Sequence, residues 1–180
     1  MPRSFHKIER MLPHRDHHTI YHDYFVGRVE EISATGELRV VDPWDQVLHV
    51  TLREAELLDV NQPFGPECLD YLERLVLSQT VYIAWNYIPN KHYVSSMQVR
   101  APVLTSNHEC VDDLLVQNGL AYATNPDRSR INGYQAFAQS QGYGLWSDMA
   151  AVPPAIWRKM RGSAFWGWYY PNKLKMLGHY

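Results

Sequence analysis

The sequence predicts a mainly β protein with helices: a five-stranded OB-type β-barrel, about three packed helices, and extended N- and C-terminal tails. Two observations indicate this class. Short runs of alternating apolar residues, separated by turn signals, are typical of strands joined in a meander. Later segments place apolar residues at helical spacing instead. Strands and helices in this order are typical of a small closed sheet with helices packed on it.

Three strand patterns follow one another in the first part of the chain. The turn signals Ala34-Thr35-Gly36 and Asp42-Pro43-Trp44-Asp45 separate them, and the third, Val47–Leu52, alternates apolar and polar residues. After the first helix, two more strands are predicted over Val81–Trp85 and Tyr93–Val99. These five runs supply the strands of the barrel.

Three helices are predicted from their apolar period. The first lies within Pro63–Val76 and buries one stripe of residues at i, i+3, i+4, i+7 and i+8. The second begins near Val111 and stops at Gly119, because glycine is favoured just beyond a helix C-terminus. In the third, Ile131, Tyr134 and Ala138 share a face with Leu145.

The charge is distributed unevenly. The whole chain carries -2, but residues 151–180 hold five basic side chains and no acid, and residues 1–25 sum to +1. Residues 26–150 therefore carry -8, which weighs against this central part as a nucleic-acid platform because such affinity rests on cation–phosphate contacts. Cys68 and Cys110 are too few for a disulfide framework.

The chain divides into an N-terminal extension (1–23), the barrel domain (24–150) and a C-terminal extension (151–180). No secretory signal and no transmembrane run is expected. Phe5, Ile8, Met11 and Leu12 form one helical face near basic residues, which predicts a mitochondrial location, although acidic residues in the same segment depart from the usual pattern. The histidines of this segment lack a fourth defined ligand, so no metal site is predicted there.

Three motifs resemble the staphylococcal nuclease (thermonuclease) family. Phe64-Gly65-Pro66-Glu67-Cys68 resembles the start of its first helix, Val111–Ala121 its second-helix motif V-N-x-x-L-V-x-x-G-L-A, and Gly144-Leu145-Trp146 the end of its third helix. The resemblance covers about residues 24–146. It implies an OB-type barrel whose site cleaves phosphodiesters with calcium, carboxylates and two arginines.

The residues at the catalytic positions implied by this resemblance differ from those of the family. The main carboxylate falls on Gly36 or Glu37, the first arginine on Thr51, the metal aspartate on Glu56, the base on Asp59 and the second arginine on Ser95. Using Arg53 instead is expected to place it on another strand face. Because loss of one charge-stabilising donor costs about 3 kcal/mol, the sequence predicts a pseudonuclease without catalytic residues, cofactor or metal. The alternative is that Glu37, Glu56 and Asp59 form a residual metal site.

The C-terminal extension combines cations with aromatic rings, which are typical anchors of protein interfaces. The predicted partner-binding residues are Arg158, Arg161, Phe165, Trp166, Trp168, Tyr169 and Tyr170. Packing on the barrel, a membrane interface and base stacking are the alternatives.

The predicted function is a non-catalytic structural or accessory subunit of a large multi-protein assembly, with a mitochondrial complex such as the respiratory chain as the expected setting. Other protein subunits are the expected partners, and no small-molecule substrate is expected. The alternatives are a non-catalytic RNA or single-stranded DNA-binding protein and a residual calcium-dependent nuclease.

Overall fold

A computed structural model describes residues 24–89, 96–124, 127, 129–147 and 152–160. The strands are β1 Tyr24–Ile32, β2 Leu38–Val41, β3 Val47–Leu52, β4 Ala55–Leu57, β5 Thr80–Ala84, β6 Met97–Ala101 and β7 Ala121–Ala123. The helices are α1 Gly65–Val76, α2 Val111–Gln117, α3 Ser129–Gln141 and α4 Pro154–Met160. Two 3-10 turns lie at Trp85–Tyr87 and Gly144–Ser147.

Five strands form one curled sheet in the order β5-β1-β2-β3-β6. Its neighbours are antiparallel except for β3 and β6, which pair in parallel. Tyr82 of β5 exchanges two backbone hydrogen bonds of 3.0 Å with Leu104, which follows β6, and so links the two edge strands. The predicted fold class, a five-stranded OB-type sheet with packed helices, is confirmed.

The helices bury the faces that their apolar period predicts. In α1, Cys68, Leu72 and Val76 are fully buried and belong to the same hydrophobic core cluster as the buried residues of the sheet. Helix α2 ends at Gln117, and Gly119 follows with φ +67°, a left-handed conformation that glycine adopts without steric cost. Both helices therefore contribute buried residues to the hydrophobic core that also contains the buried residues of the sheet.

Three features differ from the sequence-based expectation. The predicted strand Tyr93–Val99 corresponds to β6, which starts at Met97, directly after the positive φ of Ser96, and runs on to Ala101; residues 93–95 lie outside the described part of the chain. Strands β4 and β7 were not predicted, because three residues are too few to show an alternation. Leu145 is buried, but it lies in a 3-10 turn rather than in α3, since Gly142 and Gly144 with positive φ separate the two.

A two-residue connection, Arg53 and Glu54, leads out of the sheet to the second half of the molecule. Strand β3 ends at Leu52, and β4 begins at Ala55 and pairs with β7 of the helical part. No helix among the described residues has the length and apolarity to cross a membrane.

Candidate functional site

A cavity of about 640 Å³ lies where β3, β4, β6 and α4 meet. Its lining residues are Thr35, Thr51, Leu52, Arg53, Ala55, Glu56, Leu57, Arg100, Thr124 and Arg158. Three guanidinium groups and one carboxylate give the lining a formal net charge of +2. The cavity is therefore locally positive within a central segment of -8, and its sign suits an anion.

Two of the arginines lie on or just after the parallel strands β3 and β6. Thr51 and Arg100 face each other across this pair of strands, and both are exposed. Arg53 follows Thr51 by two residues and lines the same cavity. The expectation that Arg53 lies on another face is wrong, because side chains alternate with a period of two and a two-residue shift returns to the same side.

The aromatic ring of Tyr87 lies beside Arg53. The guanidinium carbon of Arg53 is 4.6 Å from the centroid of that ring, a cation–π distance. Tyr87 belongs to the 3-10 turn after β5, and Arg53 directly follows β3. The turn after one strand therefore positions the cation that follows a different strand. The Tyr87 ring therefore stabilises the position of the Arg53 guanidinium group at the cavity.

The third arginine comes from the C-terminal helix. Arg158 donates from Nη2 to Oε1 of Glu56 at 2.5 Å, and its side chain is 52% exposed. Helix α4 is attached to the body by Gln62, whose buried side-chain amide donates to the carbonyl of Val152 just before the helix. In the structure Arg158 lines the cavity, and its predicted role as a partner contact stays a prediction.

A buried carboxylate holds the chain segment that carries the site. Asp112 of α2 is fully buried, and its Oδ1 accepts the backbone N–H groups of Glu54 at 2.6 Å and Ala55 at 2.9 Å. Burial raises the pKa of the Asp112 carboxyl, and these two hydrogen bonds oppose that rise. Because Glu54 and Ala55 lie between Arg53 and Glu56, Asp112 fixes both cavity residues through the backbone.

A second interaction ties the same segment to α3. Arg130 donates from Nη2 to the carboxylate of Glu54 at 3.1 Å and also pairs with Asp113. Glu54 therefore points toward the helices, while its neighbours Arg53 and Glu56 line the cavity. The sequence analysis predicted none of these supporting roles. The available signal for Asp112 was that this chain has an aspartate where the second-helix motif V-N-x-x-L-V has asparagine.

Two acids that the resemblance placed at the catalytic centre have other roles. Glu37 pairs with Nδ1 of His49 at 3.3 Å. Asp59 accepts the backbone N–H of Asn61 at 3.1 Å, in the turn that leads to α1. Neither lines the cavity, and no group of three His, Cys, Asp or Glu side chains arranged to hold a metal occurs in the part of the chain that the structure describes. A calcium site of three acidic side chains does not fit these residues.

Several predicted residues lie outside the described part of the chain. They are Ser95 of the second-arginine position, and Arg161, Phe165, Trp166, Trp168, Tyr169 and Tyr170 of the C-terminal extension. The N-terminal extension, residues 1–23, also lies outside it. Their predicted roles stay predictions.

Comparison with known proteins decides the family. Residues 47–148, more than half of the chain, match the family model of staphylococcal nuclease homologues. The chain belongs to the staphylococcal nuclease family. It is also 29% identical over 138 residues to an uncharacterized endonuclease of Escherichia coli O157:H7, a match that covers 73% of this chain and 84% of that protein. Arg53, Glu56 and Arg100 lie within the family match, and Arg158 lies ten residues beyond it.

The prediction of a protein without enzymatic activity is wrong. The staphylococcal nuclease match and the relative named as an endonuclease contradict it. It rested on motif positions that lack the expected carboxylates and, above all, on Thr51 and Ser95, where the resemblance implied arginine. The physical reason for the error is that the cavity takes its cations from other positions, which a position-by-position alignment does not reveal.

Proposed function

We propose that the protein is a nuclease that binds the phosphodiester backbone of nucleic acid in the cavity and hydrolyses it. The observation that carries this proposal is the meeting of three guanidinium groups with one carboxylate in a single cavity of a nuclease-family domain. A guanidinium group offers planar paired donors that match the oxygens of a phosphate. The carboxylate adds a group that accepts a proton.

The chemistry follows from where negative charge develops. When water attacks phosphorus, charge builds on the non-bridging oxygens, and Arg53 and Arg100 are placed to stabilise it. Glu56 accepts the proton that the attacking water loses. The bond from phosphorus to the leaving oxygen breaks, and that oxygen takes a proton from solvent. Each of these roles is assigned to a residue that lines the cavity.

The charge distribution limits how the substrate is held. Cations in the cavity attract phosphate, while the surrounding central segment with a charge of -8 repels a long polyanion. Each phosphate contact to a single strand contributes a slope of about -0.7 to the dependence of log K on log salt concentration. Three arginines therefore support a slope no steeper than about -2.

Cleavage assays test the proposal directly. The purified full chain is incubated with end-labelled single-stranded DNA, duplex DNA and RNA, in calcium, in magnesium or in a chelator. Arg53→Ala and Arg100→Ala should each lower kcat by about 10²–10³-fold, as removal of a charge-stabilising donor does. The matched control is Arg74→Ala, since Arg74 is exposed on α1 and pairs with Asp70 at 2.8 Å, away from the cavity. Absence of cleavage by the unchanged protein in every condition would refute the proposal.

We also propose that the C-terminal extension binds a protein partner and that the protein is mitochondrial. Aromatic rings beside cations support the first part, and the amphipathic N-terminal segment supports the second. Trp166→Ala and Trp168→Ala should release the protein from its complex in native size fractionation. Migration of the unchanged protein as a lone monomer would contradict a stable complex, and a fluorescent fusion outside mitochondria would contradict the location.

A further inference from the structure

We propose that Arg158 is a third phosphate-binding residue, supplied to the nuclease cavity by the C-terminal helix from beyond the matched family region. The inference rests on the proposed function of the cavity and extends it to a residue of the C-terminal extension. Arg158 lines the cavity together with Arg53 and Arg100. It lies ten residues past the end of the family match, which therefore does not include it.

The position of Arg158 leaves donors free for a substrate. A guanidinium group has five N–H donors in a fixed fork. The structure shows one ion pair of Arg158 to a described residue, from Nη2 to Glu56, and half of the side chain is exposed. The remaining donors are available to a phosphate oxygen that enters the cavity.

Arg158 also supplies a positive charge that β3 lacks at Thr51. The resemblance placed the first catalytic arginine at Thr51, where a hydroxyl group carries no charge. Thr51 and Arg158 line the same cavity, so the C-terminal helix brings a cation to the cavity that Thr51 leaves without one at that position. The attachment of α4 through Gln62 and Val152 places this helix against the body.

The ion pair between Arg158 and Glu56 sets up an exchange. An exposed ion pair is weak, because solvent screens it. A phosphate that binds the remaining donors of Arg158 competes with Glu56 for the guanidinium charge, which weakens the ion pair and frees the carboxylate for proton transfer. Binding of the phosphate and activation of the base are thereby coupled at one arginine. Glu56→Gln should tighten the binding of an uncleaved phosphodiester, since it removes the competing charge.

Binding titrations with matched variants test the inference. The probe is single-stranded phosphorothioate DNA of about ten nucleotides, which resists hydrolysis, and fluorescence anisotropy is measured over a series of salt concentrations. Arg158→Ala should weaken binding at least about tenfold, as loss of a charge-assisted hydrogen bond does, and should reduce the salt slope by about 0.7. Arg158→Lys should keep the slope and recover part of the affinity. Lys159→Ala removes the same charge one residue away, on an exposed side chain that does not line the cavity, and should change neither.

The outcomes separate this inference from the proposed function. Equal binding by Arg158→Ala and the unchanged protein, or an equal loss with Lys159→Ala, overturns the role of Arg158. The unchanged protein failing to cleave any substrate overturns the nuclease, and the titration then still decides the phosphate contact. Thermal melting of every variant shows whether the fold is kept, and Glu56→Gln supplies the opposite shift in affinity from a variant that leaves Arg158 in place.

Discussion

The buried carboxylate of Asp112 gives the sharpest test of how the fold supports the cavity. It accepts two backbone N–H groups of the segment between β3 and β4, and it is fully buried. Asp112→Ala leaves both N–H groups unsatisfied, at about 1–3 kcal/mol each, so the free energy of unfolding should fall by about 2–6 kcal/mol. Asp112→Asn keeps the accepting oxygen and should lose far less.

The pH dependence distinguishes the charge from the hydrogen bonds. Burial raises the pKa of Asp112 above its ordinary value of 3.8, so the folded state holds this proton more tightly than the unfolded chain. Between 3.8 and the folded pKa, the contribution of Asp112 to stability falls as pH rises. Asp112→Asn lacks this contribution. The stability of the Asn variant relative to the unchanged protein should therefore increase from pH 4 to neutral pH.

Urea unfolding followed by tryptophan fluorescence measures these differences. Unfolding curves for the unchanged protein, Asp112→Asn and Asp112→Ala are recorded between pH 4 and pH 8. The free energies of unfolding are compared where the proteins share the same m-value. The Asn variant should stay well above the Ala variant at every pH. The reasoning is refuted if both variants lose the same stability, or if the gap between the Asn variant and the unchanged protein does not change with pH.

Four further predictions concern single side chains. Tyr87→Leu should lower kcat/KM about two- to fivefold, because a cation–π contact to Arg53 of about 0.5–1 kcal/mol is lost, and Tyr87→Phe should retain activity; equal losses in steady-state assays would contradict this. Burial raises the pKa of the Cys68 thiol to about 12, so this thiol should not react with a disulfide reagent at pH 8 until urea unfolds the chain. Gly133→Ala should stabilise α3 by about 0.5–1 kcal/mol in thermal melting, since beyond its chain neighbours and the backbone of its own helix nothing lies within 4 Å of the added Cβ. Gly119→Ala should destabilise by more than that, because the φ is +67° and a carbonyl oxygen lies 2.1 Å from the added Cβ.

The sequence was sufficient for the elements that a long period defines. The buried stripe of α1 and the glycine stop after α2 are both read from spacing within one element, and the structure confirms them. Strands β4 and β7 have three residues each and become visible only through their pairing with one another. Pairing between distant segments is a tertiary property, and local spacing does not contain it.

The candidate site was harder to predict for the same reason. Arg53 could have been predicted as a site residue, because residues two apart on a strand lie on the same face. It was rejected because the shift from Thr51 was wrongly expected to change the face. Arg100 required the parallel register that sets it opposite Thr51, between strands almost fifty residues apart in sequence. Arg158 required the docking of a helix from the C-terminal extension. The sequence motifs predicted the fold. The arginines of the cavity could not be predicted from them, because only the folded structure brings these residues together.

The parallel pairing of β3 with β6 also has a consequence for biosynthesis. Chains are made from the N-terminus, and domains fold as their residues become available. The meander β1–β3 forms between near neighbours, but its outer edge waits for Met97–Ala101, and loop closure over such a separation is slow. Arg158 emerges later still. A nascent chain that already holds the curled sheet therefore lacks one of its three cations, and the charge of the pocket is completed only when the helix that carries Arg158 has been made.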